Sequence, residues 1–284
     1  MNAERDNTGS GSGSISRRSI VSFTAAAAVF PTMLIEAAQA VTAAPSDPID
    51  IKAMTFDIQG TLFDYYQPFA RISDALNNSK AQRLNWSGLL GDWNAGAVSI
   101  IQAIITGERT WIPPGLVFRE SLEAALSIRG LTSQLDETDR LELMSVWSQM
   151  VPWPDSALGV GRLKRKVTVA ALSNAGMAGV IALAKRGGLP FDAVLTGELV
   201  HSYKPSPDVY QAASTYLGFP PGEIMMVAAH KFDLKAAKAA GFKTAYIPRP
   251  LETGPGTKVD RSPEPYIDVI ANDLMDLSRM IDLG

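Results

Sequence analysis

Short, unbroken apolar runs recur along the chain, and a polar residue closes most of them. Ile51-Lys52-Ala53-Met54-Thr55-Phe56 stops at Asp57, and Val167-Thr168-Val169-Ala170-Ala171-Leu172 stops at Ser173-Asn174. Ala193-Val194-Leu195, Ile224-Met225-Met226-Val227-Ala228-Ala229 and Thr244-Ala245-Tyr246-Ile247 repeat the pattern, the second leading into His230. Runs of this length, without polar alternation, predict strands buried on both faces of a parallel sheet. Helical patterns lie between them, over 177–186, 207–216 and 233–240. Pro207 stands near the start of one, and Gly241 ends another. Strand–helix alternation with short connections predicts an α/β fold, an open doubly wound sheet with helices on both sides.

One stretch breaks the rhythm. From Tyr65 to about Gln149 no comparable strand occurs, and helical patterns cover 69–84, 95–106, 116–128 and 137–150. This is far too long for a plain loop and predicts a helical cap inserted after the first strand. The expected organisation is core at 41–64, cap at 65–150 and core again at 151–284. The Pro/Gly-rich stretch after Ile247 predicts a surface loop, followed by a short closing helix.

The first forty residues read as a separate device. Residues 1–14 are polar and rich in Gly and Ser, the composition of a disordered segment. Ser16-Arg17-Arg18-Ser19-Ile20-Val21 then leads into an uncharged run that reaches Ile35, and Ala38-Gln39-Ala40 follows. A basic start, an apolar middle and small residues before a cut site form an export signal. The paired arginines resemble a twin-arginine signal, which makes the twin-arginine export machinery a partner and the expected location periplasmic or extracellular. A membrane anchor is the competing reading, but the run is short and Pro31 and Glu36 interrupt it.

Composition narrows the chemistry. The chain has 284 residues, with 26 Lys and Arg against 29 Asp and Glu, a formal net charge of −3. No basic block stands in the body of the chain, which argues against a nucleic-acid partner. No cysteine is present, so thiol nucleophiles, thiolate metal sites and disulfides are excluded. With His201 and His230 the only histidines, a multi-histidine metal centre is excluded as well.

Ligands of open parallel sheets sit outside the carboxyl ends of the strands. Those ends carry Asp57, Thr61, Ser173, Asn174, Lys204, His230 and Asp233. Taken singly, Asp57, Ser173 and Asp233 can also be read as helix caps, Lys204 as a solvated lysine and His230 as a satisfied structural group. Their projection to one edge, in chain order, is what points to a site.

That order carries a resemblance. Phe56-Asp57-Ile58-Gln59-Gly60-Thr61-Leu62-Phe63-Asp64, Leu172-Ser173-Asn174, Tyr203-Lys204-Pro205 and Val227-Ala228-Ala229-His230-Lys231-Phe232-Asp233-Leu234 together resemble the four motifs of the haloacid dehalogenase (HAD) superfamily. The type II (L-)2-haloacid dehalogenases are the most similar group. Gly107-Glu108-Arg109-Thr110-Trp111, Phe118-Arg119-Glu120-Ser121-Leu122 and Leu189-Pro190-Phe191-Asp192 add to the likeness, as does Lys204-Pro205-Ser206-Pro207-Asp208-Val209-Tyr210. The resemblance implies a HAD-like Rossmannoid sheet and a hydrolase that cleaves short 2-haloalkanoic acids to 2-hydroxy acids and halide. It implies that Asp57 attacks the halogen-bearing carbon, that Lys204 keeps Asp57 ionised, and that Asp233 orients or activates the hydrolytic water. Thr61 would hold the carboxylate of Asp57, and Ser173 and Asn174 would bind that of the substrate. Tyr210 and His230 complete the implied site. No metal or cofactor is called for, and a homodimer is the implied assembly.

The chain departs from the pattern at several positions. Gln59 stands where Mg²⁺-dependent phosphatases of the superfamily carry a second Asp as general acid, and Ala229 replaces one of their metal-holding acids. An amide cannot donate a proton as an acid does. These losses favour metal-free chemistry over the alternative of a Mg²⁺-dependent phosphatase. A third alternative is an exported protein that kept the fold without activity. In the cap, Trp93-Asn94 puts Asn where the dehalogenases place an arginine that receives halide and substrate carboxylate, leaving Arg83, Arg109 and Arg119 as candidate substitutes.

Overall fold

The computed structural model describes residues 50–80, 83–256 and 258–281. The export signal expected at 1–40 lies outside them. No helix among the described residues is long and apolar enough to cross a membrane.

In chain order, β1 (Ala53–Phe56) runs to Asp57, and β2 (Phe63–Asp64) follows a tight turn. Four helices come next: α1 (Tyr66–Ser79), α2 (Leu89–Ile105), α3 (Pro114–Ile128) and α4 (Glu137–Met144). β3 (Val151–Pro152) pairs antiparallel with β2, so the chain leaves for the helices and returns at a single point. The rest alternates: α5 (Ser156–Leu163), β4 (Thr168–Ser173), α6 (Met177–Gly187), β5 (Ala193–Thr196), α7 (Pro207–Leu217) and β6 (Ile224–Ala228). α8 (Lys231–Ala239), β7 (Lys243–Tyr246), β8 (Val269–Ile270) and α9 (Leu274–Met280) close it.

Six strands form one parallel sheet in the order β5-β4-β1-β6-β7-β8. β1 is central, and all four of its residues are buried. Chain order reverses on either side of it, because β4 pairs with one edge and β6 with the other. Such a switch point opens a crevice at the carboxyl ends of the strands, and Asp57 stands there.

The structure revises several expected boundaries. The helix expected over 69–84 ends at Ser79. The side chain of Asn77 accepts the backbone N–H of Leu84 at 2.8 Å and the indole N–H of Trp86 at 3.0 Å, and so folds the following segment back over the helix end. The next helix begins at Leu89, earlier than its apolar pattern suggests, after Gly88 turns the chain at φ 73°. The stretch after Ile247 is not a plain surface loop. Arg249 within it is buried; its Nε donates to the Thr61 carbonyl at 2.8 Å, and its guanidinium grips Asp155 at 2.8 and 2.9 Å.

Candidate active site

The turn after β1 is built around Gly60, whose φ of +78° is the left-handed region that favours glycine. A Cβ there would also lie 2.2 Å from the Glu252 carboxylate. The turn returns Thr61 toward Asp57. The Thr61 hydroxyl donates to Asp57 Oδ2 at 2.7 Å and accepts the N–H of Ala229 at 2.8 Å, which joins the ends of β1 and β6.

Asp57 gathers two cations. Lys204 Nζ lies 2.9 Å from Oδ1, and His230 Nδ1 lies 3.1 Å from Oδ2. Lys204 also reaches Asp233 Oδ2 at 2.5 Å, and the Tyr210 hydroxyl donates to Asp233 Oδ1 at 2.7 Å. All three members of the Asp57–Lys204–Asp233 bridge are buried. Burial by itself would raise the pKa of Asp57. The ammonium of Lys204, with His230 and Thr61, outweighs it and holds the carboxyl well below the usual carboxylate range. Asp233 moves the other way, pushed up by burial and by the Asp57 anion against the pull of Lys204. Two carboxyl groups whose environments drive them apart have distinct tasks, and Asp57 is the one kept anionic.

His230 sits between two acids. Its Nε2 lies 2.6 Å from Glu252 Oε1, an oxygen that also accepts the Tyr65 hydroxyl at 3.0 Å. Burial would lower the His230 pKa, but Glu252 and Asp57 raise it well above the ordinary value of 6.5. Nothing in the sequence near Glu252 marks it for this place. It lies in the Pro/Gly-rich stretch expected at the surface, and only the tertiary approach to Gly60 reveals it.

The other expected residues fall in different positions. Asn174 lines the cavity, yet both ends of its amide hold the loop of Lys204: Nδ2 donates to the Lys204 carbonyl at 2.9 Å, and Oδ1 accepts its N–H at 2.6 Å. Ser173 is fully buried, and its hydroxyl accepts the N–H of Ala175 at 3.0 Å, away from the cavity lining. Tyr210 is likewise buried behind Asp233. None of the three candidate cap arginines lines the cavity. Arg109 holds Glu120 at 2.7 Å, and Arg119 holds Glu123 at 2.9 Å and Glu137 at 2.6 Å.

A cavity of about 490 Å³ opens over these groups. Its floor is Asp57, Lys204, Asp233 and His230, and Asn94 and Ile101 from the cap face them. Phe118 and Trp147 add an aromatic wall, with ring centroids 4.2 Å apart. A second cavity of about 630 Å³ shares Gly91, Asn94 and Thr253 with the first.

A family model described as haloacid dehalogenase-like hydrolase matches residues 51–241. The chain belongs to that family. Within these hydrolases it groups with the type II (L-)2-haloacid dehalogenases. It is 38% identical to the crystal structure of the L-2-haloacid dehalogenase PA0810, with a TM-score of 0.74 over 81% of this chain and 99% of the other. The defluorinating L-2-haloacid dehalogenase Rha0230 matches at 31% identity and a TM-score of 0.75, covering 81% of this chain and 95% of the other. The (S)-2-haloacid dehalogenase of Xanthobacter autotrophicus is 29% identical over 201 residues, 70% of this chain and 76% of the relative.

Many hydrolases of this superfamily use Mg²⁺, and the donor set here does not fit it. Mg²⁺ needs carboxylate oxygens free to coordinate. Both oxygens of Asp57 and both of Asp233 already accept hydrogen bonds from protein donors, and Lys204 lies between the two carboxylates. Among the described residues, no group of three or more His, Cys, Asp or Glu is placed to hold a metal ion.

Proposed function

We propose that the chain hydrolyses carbon–halogen bonds in organohalides related to 2-haloalkanoic acids, through an ester on Asp57. The observation that carries this reading is the buried, anionic Asp57 at the floor of the cavity, held by Lys204 and His230 instead of a metal. A carboxylate is a weak nucleophile in water, and removing its hydration while fixing its direction is what activates it. Asp57 Oδ1 has one donor, Lys204, whereas Oδ2 has two, Thr61 and His230. Oδ1 is therefore the freer oxygen for attack. Its lone pair forms the new C–O bond as the C–halogen bond breaks, and the halide leaves with the bonding pair. Water then adds to the carbonyl carbon of the Asp57 ester as a base takes one of its protons; the bond from that carbon to the alkyl oxygen breaks, and the departing alkoxide takes the proton to give the product alcohol.

The second step needs a base, and His230 fits that task better than Asp233. Both oxygens of Asp233 are occupied and it is 1% exposed, whereas the His230 side chain is 26% exposed to the cavity and touches Asp57. While Asp57 is an anion, it helps keep His230 protonated. Esterification removes that charge and lowers the proton affinity of the ring, so the Nδ1 proton passes to solvent in the open cavity before the ring serves as base. Glu252 accepts the Nε2 proton, which leaves Nδ1 as the base nearest the ester. Asp233, with Tyr210 behind it, positions Lys204.

A halide-release assay in chelator-treated buffer tests the reading. Wild type is expected to release halide, and Asp57→Asn to lose activity on the order of 10⁴-fold with an unchanged circular dichroism spectrum. Full turnover by Asp57→Asn contradicts it. We also propose export by the twin-arginine machinery, which rests on Ser16-Arg17-Arg18-Ser19 and Ala38-Gln39-Ala40.

A further inference from the structure

The charges around the cavity do not match an anionic substrate. The carboxyl groups of Asp57, Asp233 and Glu252 meet two cations, Lys204 and His230, so no positive charge is left over for an anionic substrate even with the imidazole protonated. Each cation is already committed to two of these acids: Lys204 to Asp57 and Asp233, and His230 to Asp57 and Glu252. Among the described residues no arginine lines the cavity, and the cap supplies only the neutral amide of Asn94. Gln59, Tyr65, Asn174 and Thr253 add uncharged polar groups, and much of the rest of the wall is apolar. Ala97, Val98 and Ile101 come from α2, and Phe232 comes from the first turn of α8. Val98 and Phe232 are 60% and 54% exposed, which leaves apolar surface uncovered at the cavity. The volume of about 490 Å³ falls in the range of sites that enclose drug-sized ligands and exceeds what a three-carbon acid needs.

We infer that this site takes an uncharged, largely apolar organohalide, a 2-haloamide or ester with an alkyl body, in preference to the free 2-haloacid anion. The inference deepens the dehalogenase reading and rests on it for the chemistry, while charge and lining alone decide the form of substrate that binds. A carboxylate entering this cavity would find both cations already engaged, and its desolvation would go uncompensated. A neutral carbonyl needs only a hydrogen bond, which the amides of Asn94 and Gln59 can supply at the cavity wall.

Unreactive analogues separate binding from chemistry. Hexanamide and hexanoate have the same length and differ in charge, and each is titrated against the full chain by calorimetry at pH 7.5. Hexanamide is expected to bind about tenfold tighter or more. Asn94→Arg, which places a guanidinium on the same wall, is expected to reverse the order. Equal or tighter binding of hexanoate by wild type, or no detectable binding of hexanamide, overturns the inference. Halide release from 2-bromohexanamide and 2-bromohexanoate is measured in parallel. Release from both with preferential binding of the anion overturns the substrate assignment and leaves the dehalogenase intact. Release from neither overturns the dehalogenase reading itself.

Discussion

Asp57 is surrounded by groups that each restrict it in a different way: Lys204 holds its charge, Thr61 its direction, and His230, in the proposed mechanism, decides its fate after attack. The last role gives a kinetic prediction. His230→Gln should leave ester formation in place and slow its hydrolysis, with turnover falling about 10²–10⁴-fold. Intact-mass measurement during turnover should then show the alkylated enzyme accumulating, and an enzyme that stays unmodified at steady state contradicts the assignment. A second prediction follows from the direction of the His230 shift. Because the folded-state pKa lies above the unfolded 6.5, the stabilisation from His230 is full below that pH and is lost as pH rises through the folded value. The difference in melting temperature between wild type and His230→Gln should therefore shrink on going up from pH 6.5, and a constant difference would contradict it. Much of this constellation is legible in the sequence, since Asp57, Ser173 and His230 sit at or just past the ends of apolar runs that parallel strands require. Glu252 is not, because its place depends on a glycine 192 positions earlier leaving room for it, and no periodicity records such a contact.

Between elements, the turn at Gly60 and the segment after β7 act as one unit. Glu252 packs where a side chain at residue 60 would be, and Arg249 ties the Thr61 carbonyl to Asp155. Asp155 Oδ2 in turn accepts the N–H of Leu274 at the start of α9. Gly60→Ala is expected to cost about 1–2 kcal/mol for the left-handed backbone alone. It should also lower turnover, since the methyl group displaces Glu252 from His230. Equilibrium denaturation and halide release report the two effects, and loss of stability without loss of turnover contradicts the coupling. Arg249→Met leaves the largely buried Asp155 without its cation, with an expected loss of about 3 kcal/mol by urea denaturation. Helix boundaries were less legible than strand positions. Local detail settles them: the Asn77 side chain folds the chain back over the end of α1, and the left-handed backbone of Gly88 precedes the early start of α2. β2 and β3 are two residues each, too short for a hydrophobic pattern to register.

At the scale of the molecule, the reversal of chain order at β1 makes the crevice, and the helical insert roofs it with Asn94, Ile101, Phe118 and Trp147. The charged residues of the cavity come from the core, and most of its apolar wall comes from the insert; in the proposed reading the insert sets substrate form and the sheet edge the bond chemistry. The strand–helix rhythm places the insert after the first strand, but not which cap residues turn inward, because α2 and α3 also carry exposed apolar side chains, Val98, Leu116 and Ile128. Export belongs to this scale as well. Replacing Arg17 and Arg18 with lysine in a fusion of residues 1–45 to a periplasm-dependent reporter should retain the reporter in the cytoplasm, and unchanged export contradicts the twin-arginine reading. In the proposed mechanism an oxygen of Asp57 ends up in the product alcohol. A single turnover in ¹⁸O-labelled water, followed by peptide mass spectrometry, tests it most directly. One heavy oxygen in the peptide containing Asp57, with unlabelled product alcohol, is the predicted result. Labelled product over an unlabelled Asp57 would mean that water attacks the substrate carbon directly, and the account would fail.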